Sequence, residues 1–178
     1  MATNEVRLHG INWQGYDIND GAAKMLGLVT LDLPEMQSKT VTVNGIGIAG
    51  DYDSIVKSHF EPLAATLHWR VLNNDSMRYL RQKDAFNFRF YQAQQYFDAG
   101  SGNLRVPSLV VVMRCFCKNL KLGKFEPSEQ GEVEMEVTID YLKITHDGNT
   151  HVEFDIFNFI YNVNGVDFME EIRDALGL

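Results

Sequence analysis

Two runs of alternating apolar and polar residues, 132–145 and 150–163, dominate the C-terminal third of the chain. They meet at Asp147-Gly148, a dipeptide suited to a tight hairpin turn. Side chains alternate across a strand with period two, so a symmetric turn makes opposed residue numbers sum to a constant. The register so written pairs Met135 with Ile160, Ile139 with Ile156 and Tyr141 with Phe154 on one face, which is the expected core. The other face pairs Glu134 with Tyr161, Glu136 with Phe159, Thr138 with Phe157 and Asp140 with Asp155. Carboxylates mixed with large aromatics make a poor solvent face for a monomer, so the pattern predicts a building block whose neighbours cover it.

Upstream the chain also reads as strands. Residues 26–33 and 40–43 are short β-rich runs separated by Pro34-Glu35-Met36, an extended elbow. Residues 63–72 alternate regularly, with Leu63, Ala65, Leu67, Trp69 and Val71 inward against Ala64, Thr66, His68 and Arg70. Asn73-Asn74-Asp75-Ser76 offers capping side chains for a short helix to about Gln82, with Met77 and Leu80 predicted inward. Residues 85–97 place Phe86, Phe88 and Phe90 on one face and Asn87, Arg89 and Tyr91 on the other. A further strand, 104–118, carries Pro107 near its start, which marks an edge or a bulge, and a loop fills 119–130. Asp167 is the expected N-cap of a final helix, 168–176, stopped by Gly177. The predicted fold is mainly antiparallel β, a sandwich or barrel-like sheet with two short helices, in one domain spanning residues 1–178.

Composition narrows the function. The chain has 178 residues, 45% of them apolar, which is enough for one sizeable core. Sixteen basic against 24 acidic residues leave a net charge of -8, against a protein that grips nucleic acid through its phosphates. The longest apolar stretch, residues 109–113, is far short of the roughly 20 residues that span a bilayer. Residues 1–5 lack a basic-then-apolar signal pattern, and a cytoplasmic site of synthesis is expected. The two cysteines, Cys115 and Cys117, fall on one strand face about 7 Å apart, too far to bridge each other, and are expected as reduced thiols.

Candidate chemistry is sparse. Gly45-Ile46-Gly47-Ile48-Ala49-Gly50 fits the spacing of a dinucleotide loop, but Pro62 and a new strand follow too soon for the crossover helix that such a loop opens. A long, partly apolar connection over residues 44–58 is the better reading, and long loops in compact domains are often functional. Asp140 and Asp155, opposed in the register above, would repel; a catalytic carboxylate pair, an acidic working surface, an ordinary solvated face and an error in the register all stay open at this level. The histidines, including His146 and His151 beside the hairpin turn, show no ligand spacing, and no nucleophile elbow is present. No enzyme, metal or cofactor is called for. A monomeric β-sandwich that binds carbohydrate through Trp13 or Trp69 is the alternative binding-module reading.

Read in order, the chain carries Asp20-Gly21, Leu26-Gly27-Leu28-Val29, Leu33-Pro34-Glu35, the glycine-rich stretch from Gly45 to Gly50, His59-Phe60-Glu61-Pro62-Leu63 and His68-Trp69-Arg70. Leu122-Gly123-Lys124, Asp140-Tyr141-Leu142-Lys143, Asp147-Gly148, Asn164-Gly165-Val166-Asp167 and Leu176-Gly177-Leu178 follow. This succession, from about Asp20 to the last residue, resembles the major tail tube protein of contractile-tailed bacteriophages and of phage-tail-like bacteriocins. Residues 12–16, with Trp13 and Tyr16, match no part of the pattern.

The resemblance implies subunits in six-membered rings, stacked into a hollow tube inside a contractile sheath. Each would lend strands to a shared β-barrel around a lumen for DNA or ions. It implies a loop reaching the neighbouring ring, which falls on Asn44, Gly45, Ile46, Gly47, Ile48, Ala49, Gly50, Asp51 and Tyr52. The implied partners are further copies of the chain, the sheath, and baseplate and tail terminator proteins, with DNA only as passing cargo and no membrane anchor. The implied location is a virion tail or tail-like particle, assembled in the host cytoplasm. Glu132, Glu134, Glu136, Asp140, Glu153 and Asp155 are the candidate acids of a lumen wall to which phosphates do not adhere.

Overall fold

The computed structural model describes residues 5–19, 23–72, 74–81, 83–124, 126–127 and 131–178. Asp20, Gly21, Asn73, Gln82 and Gln130, which enter the reading above, lie outside the described residues. The elements in chain order are β1 (Glu5–Asp17), β2 (Lys24–Met25), β3 (Thr30–Asp32), β4 (Ser38–Val43), β5 (Tyr52–Phe60), β6 (Ala64–Trp69) and α1 (Asn74–Arg78). Then follow β7 (Phe86–Asp98), β8 (Asn103–Arg105), β9 (Ser108–Lys121), β10 (Val133–His146), β11 (Asn149–Asp155), β12 (Ile160–Val163), β13 (Val166–Asp167) and α2 (Glu170–Leu176). Mainly antiparallel β with two short helices is the architecture.

One large sheet runs β13-β12-β11-β10-β9-β7-β1-β2, and β10 is its branch point. Glu134 to Ile139 and Tyr141 to His146 of β10 pair with β9 on one side, but its other side is shared: Val133 to Thr138 pair with β6, and Tyr141 to His146 pair with β11. β3 continues the branch beyond β6. The branch curls over the main sheet and closes on β1, where Leu26 N–H donates to Gly15 O at 2.8 Å and the buried Trp69 indole N–H donates to Leu26 O at 2.9 Å. Gly15 permits that closure, since a Cβ there would sit 2.7 Å from the Phe90 ring.

The core lies between the branch and the main sheet. It takes alternate residues of each strand, as the period-two patterns require: Leu67 and Trp69 from β6, Phe86, Phe88 and Phe90 from β7, Met113 and Cys115 from β9, and Met135, Val137 and Ile139 from β10. Each large apolar side chain buried this fully contributes about 1.5–3 kcal/mol. α1 closes one end. Tyr79, not Met77 or Leu80, points inward, with its ring 5.0 Å from Phe86 and 5.3 Å from Phe88, while Met77 and Leu80 are exposed. The inward choice is fixed by a polar anchor: the Tyr79 hydroxyl donates to the buried carboxylate of Asp17 at 3.1 Å, and Arg78 pairs with the same carboxylate.

The C-terminal hairpin departs from the simple register. Ile144 opposes Val152 but Thr145 opposes Thr150, so His151 is an extra residue, a bulge that shifts everything beyond it by one. Phe154 therefore faces Leu142, and Asp155 faces Tyr141 rather than Asp140. The second arm also stops early. The Asp155 carboxylate accepts the backbone N–H groups of Phe157 and Asn158, both at 3.0 Å, and turns the chain back so that β12 pairs with β11. Met135 thus has Leu67 beside it, not Ile160, and Ile156 is 44% exposed.

Smaller differences have local causes. Val71 lies beyond the end of β6 and is exposed, and only Thr30–Asp32 of residues 26–33 pairs within the sheet. Pro107 divides the expected strand 104–118 into β8 and β9, both paired with β7, and β9 runs on to Lys121. α2 begins at Glu170; Asp167 instead accepts the Met169 N–H at 2.9 Å, just ahead of it, and Gly177 ends the helix in the left-handed conformation.

Candidate assembly surfaces

β4 and β5 form a two-stranded sheet of their own, separate from the large one. Opposed residues share a face, so Val41, Val43, Ser54 and Tyr52 lie on one side and Thr40, Thr42, Asp53 and Ile55 on the other. Thr42 donates to Asp53 across the second face at 2.7 Å. Val41, Val43, Ile46, Ile48, Tyr52 and Ile55 are all exposed, Ile46 completely. An isolated strand pair is marginal in water, and clustered exposed apolar side chains mark an interaction surface. The connecting loop is residues 44–51, shorter than the 44–58 read from the pattern, because Tyr52 to Ser58 belong to β5. Gly45 and Gly47, at φ of 147° and 99°, give the tip a backbone open mainly to glycine.

The base of this arm is fixed. The Phe60 ring packs edge-on against Phe154 at 5.3 Å and Tyr161 at 4.9 Å, and Glu61 N–H donates to Gln37 O at 2.8 Å. Lys57 pairs with Glu171 of α2, holding that carboxyl below its usual range, and Ser58 Oγ donates to Phe168 O at 3.1 Å.

The acids of the sheet face opposite the core are paired rather than bare. Glu134 meets Lys121 at 2.5 Å, Glu136 meets Lys118 at 2.6 Å, and Glu153 lies 3.6 Å from Lys143. The Lys121 ammonium lowers the Glu134 carboxyl, and burial with a Glu153 hydrogen bond pushes the Tyr141 phenol up to about 12. Arg114 donates through Nε to both oxygens of Asp140, and its other end is 3.5 Å from Asp155. That cation, set between two carboxylates, replaces the repulsion expected of an opposed acid pair. Asp155 is 3% exposed and wrapped by its own turn, while Glu132 is exposed.

The remaining candidates settle into ordinary places. Cys115 is buried, its thiol pushed up by burial, and Cys117 is half-buried on the same side; both are free. His146 accepts from or donates to the Tyr96 hydroxyl at 2.9 Å, and His151 meets Asn164 at 2.6 Å. Among the described residues no group of His, Cys, Asp and Glu is arranged to hold a metal, and no helix is long and apolar enough to cross a membrane. Trp69 is buried and unavailable as a sugar platform.

Two surfaces escape the alternation pattern. β1 pairs with β7, but from Glu5 to Gln14 its outer edge has no strand partner among the described residues, and Val6, Leu8 and Ile11 on it are exposed. Two register shifts, between Arg7 and His9 and between Gly10 and Asn12, break its period and hide the strand from a sequence reading. The contact of Lys57 and Ser58 with the start of α2 spans more than a hundred residues and has no local signal.

Against known proteins, the chain is 28% identical over 179 residues to the tail tube protein of Escherichia phage P2, covering 98% of this chain and 97% of that one. Its fold is similar to the sheath/tube terminator of an extracellular contractile injection system, with a TM-score of 0.50 at 10% identity over 76% of this chain and 94% of the other. The sheath-tube complex of such a system gives a TM-score of 0.48 at 9% identity, over 75% and 88% of the two chains. The family model for phage tail tube protein FII matches residues 17–177, nearly the whole length of the chain, which therefore belongs to that family of structural tail tube proteins and is not an enzyme.

Proposed function

We propose that the chain, acting as one tail-tube domain over residues 1–178, forms six-membered rings that stack into a hollow tube inside a contractile sheath. The single observation that carries this beyond family membership is the outer part of the β4–β5 arm, a strand pair apart from the large sheet on which Val41, Val43, Ile46, Ile48, Tyr52 and Ile55 are exposed. On this reading residues 44–52 reach the adjoining ring, and further copies supply the apolar contacts that Val41, Val43, Ile46 and Tyr52 lack. The free edge of β1 pairs with a neighbouring subunit, removing an exposed strand edge as closure of a barrel does. Sheath, baseplate and terminator proteins are the proposed partners, with DNA or ions passing through the lumen and assembly in the host cytoplasm.

For the lumen, the paired face of β9 and β10 is the better candidate, with Glu134, Glu136, Asp140 and Glu153 presented beside their cations and Glu132 at its margin. Asp155 is withdrawn from that set by burial. Such a face holds few uncompensated charges and gives phosphates little to adhere to.

Negative-stain microscopy of the purified chain tests the assembly: rings or rods are expected, and dispersed monomers across concentration and salt would refute it. Deleting residues 46–49 is expected to leave the fold intact and to shorten or abolish rods; unchanged rod length would refute the loop assignment.

A further inference from the structure

The arm is joined to the body through a joint. At its base Ser38 opposes Phe60, and the next pair beyond is Thr40 with Ile55, so Lys39 alone faces four residues, Val56, Lys57, Ser58 and His59. Pairing is lost across that bulge, which bends a ribbon and frees its backbone to turn. Within it Ser58 adopts φ 55°, a left-handed conformation that a non-glycine residue holds only when its surroundings impose it. The surroundings here are two contacts to one place: the Ser58 hydroxyl on Phe168 O at 3.1 Å, and the Lys57 ammonium on Glu171. On the body side of the joint Phe60 is clamped by Phe154 and Tyr161; on the far side Val41, Val43, Tyr52 and Ile55 are exposed.

We infer that residues 56–59 are a hinge, and that Lys57 and Ser58, held by the segment Phe168 to Glu171, are the latch that sets the resting angle of the β4–β5 arm. The latch is weak by design of its parts, because its ion pair is exposed, with side chains 54% and 82% accessible, and such pairs contribute little. A weak latch over a bulged joint gives an arm with one preferred direction and a low barrier to others. It also couples two surfaces, since whatever covers the start of α2 and competes for Glu171 or Phe168 O releases the arm. The inference concerns the free chain and stands apart from ring formation, so its failure would leave the tube reading untouched.

The test is a distance distribution in the full chain at concentrations too dilute for assembly. Dyes on Thr40→Cys in the arm and Thr150→Cys on β11, in a Cys117→Ser background, report the arm angle by single-molecule energy transfer. The parent is expected to give one narrow population. Lys57→Glu is expected to widen the distribution about twofold, as a second orientation becomes comparably populated. Adding Glu171→Lys to it is expected to restore the parental width. If Lys57→Glu fails to fold, Glu171→Gln, on a solvent-facing position of α2, removes the ion pair without adding repulsion and is expected to widen the distribution in the same direction by a smaller amount. A parental distribution already broad, or one that neither variant changes, would overturn the inference.

Discussion

Arg114 donates through Nε to both carboxylate oxygens of Asp140, at 2.9 and 3.0 Å, while its other end lies 3.5 Å from the buried Asp155. The guanidinium thus compensates Asp140 and joins β9, β10 and the turn after β11. Arg114→Ala removes the cation that lies beside both of these largely buried carboxylates, and a loss of about 2–3 kcal/mol is expected. Arg114→Lys, which cannot span both acids with one planar fork, is expected to fall between. Chemical denaturation of both variants checks the order; an unchanged midpoint in Arg114→Ala would show the pair to be inert.

The corrected hairpin separates two isoleucines that the simple register treats alike. Ile139 is buried in the core, whereas Ile156 sits in the turn after β11 and is 44% exposed. Ile139→Ala is expected to cost about 2–5 kcal/mol. Ile156→Ala is expected to stay within about 0.5 kcal/mol of the parent in the free chain. Thermal melting of the two variants decides: equal losses would restore the symmetric register.

Gly15 makes a prediction through space rather than conformation. A Cβ at this position would stand 2.7 Å from the Phe90 ring and 3.3 Å from Leu26, inside a closed part of the core. Gly15→Val is expected to destabilise by about 1–3 kcal/mol as Phe90 is driven from its place. Pairing it with Phe90→Leu is expected to recover part of the loss, a coupling that a double-mutant cycle measures.

Acid sensitivity is expected at the C-terminal end. The Arg173 guanidinium beside Asp167 holds that carboxyl below its ordinary 3.8, and Lys57 holds Glu171 below 4.5. A carboxyl depressed on folding contributes stability that is whole above its unfolded value and is lost as the pH falls through the folded one. Stability is therefore expected to decline on acidification from these ordinary values downward. In Asp167→Asn the decline is expected to be shallower, with lower stability at neutral pH. Equilibrium unfolding across that acid range reads both effects, and identical pH profiles for variant and parent would exclude the Arg173 pair as a contributor.

What was legible in the chain is what obeys a local rule over several residues. The inward faces of β6 and β7, the core placement of Met135 and Ile139, the glycine stop at Gly177 and the loop nature of residues 44–51 all follow from period-two alternation or a single backbone requirement. The misses have equally definite causes. β1 loses its period at two register shifts. α1 has five residues, too few for periodicity to choose a face, and Asp17, some sixty positions away, makes the choice through Tyr79. In the hairpin a single extra residue, His151, moves every later pair, and the turn signal in Asp155-Ile156-Phe157-Asn158 was masked by the apolar residues within it. The arm's contact with α2 depends on the assembled fold and on no pattern within either segment.

The branching of the sheet at β10 carries a consequence for how this chain tolerates change in length. Because Val133 to Thr138 and Tyr141 to His146 answer to different partners on the same side, one inserted or deleted residue near Asp140 would move one half relative to the other and present the wrong faces to either β6 or β11. Length variation is expected to be admitted at the tip of the arm, where nothing is counted, and refused in the middle of β10.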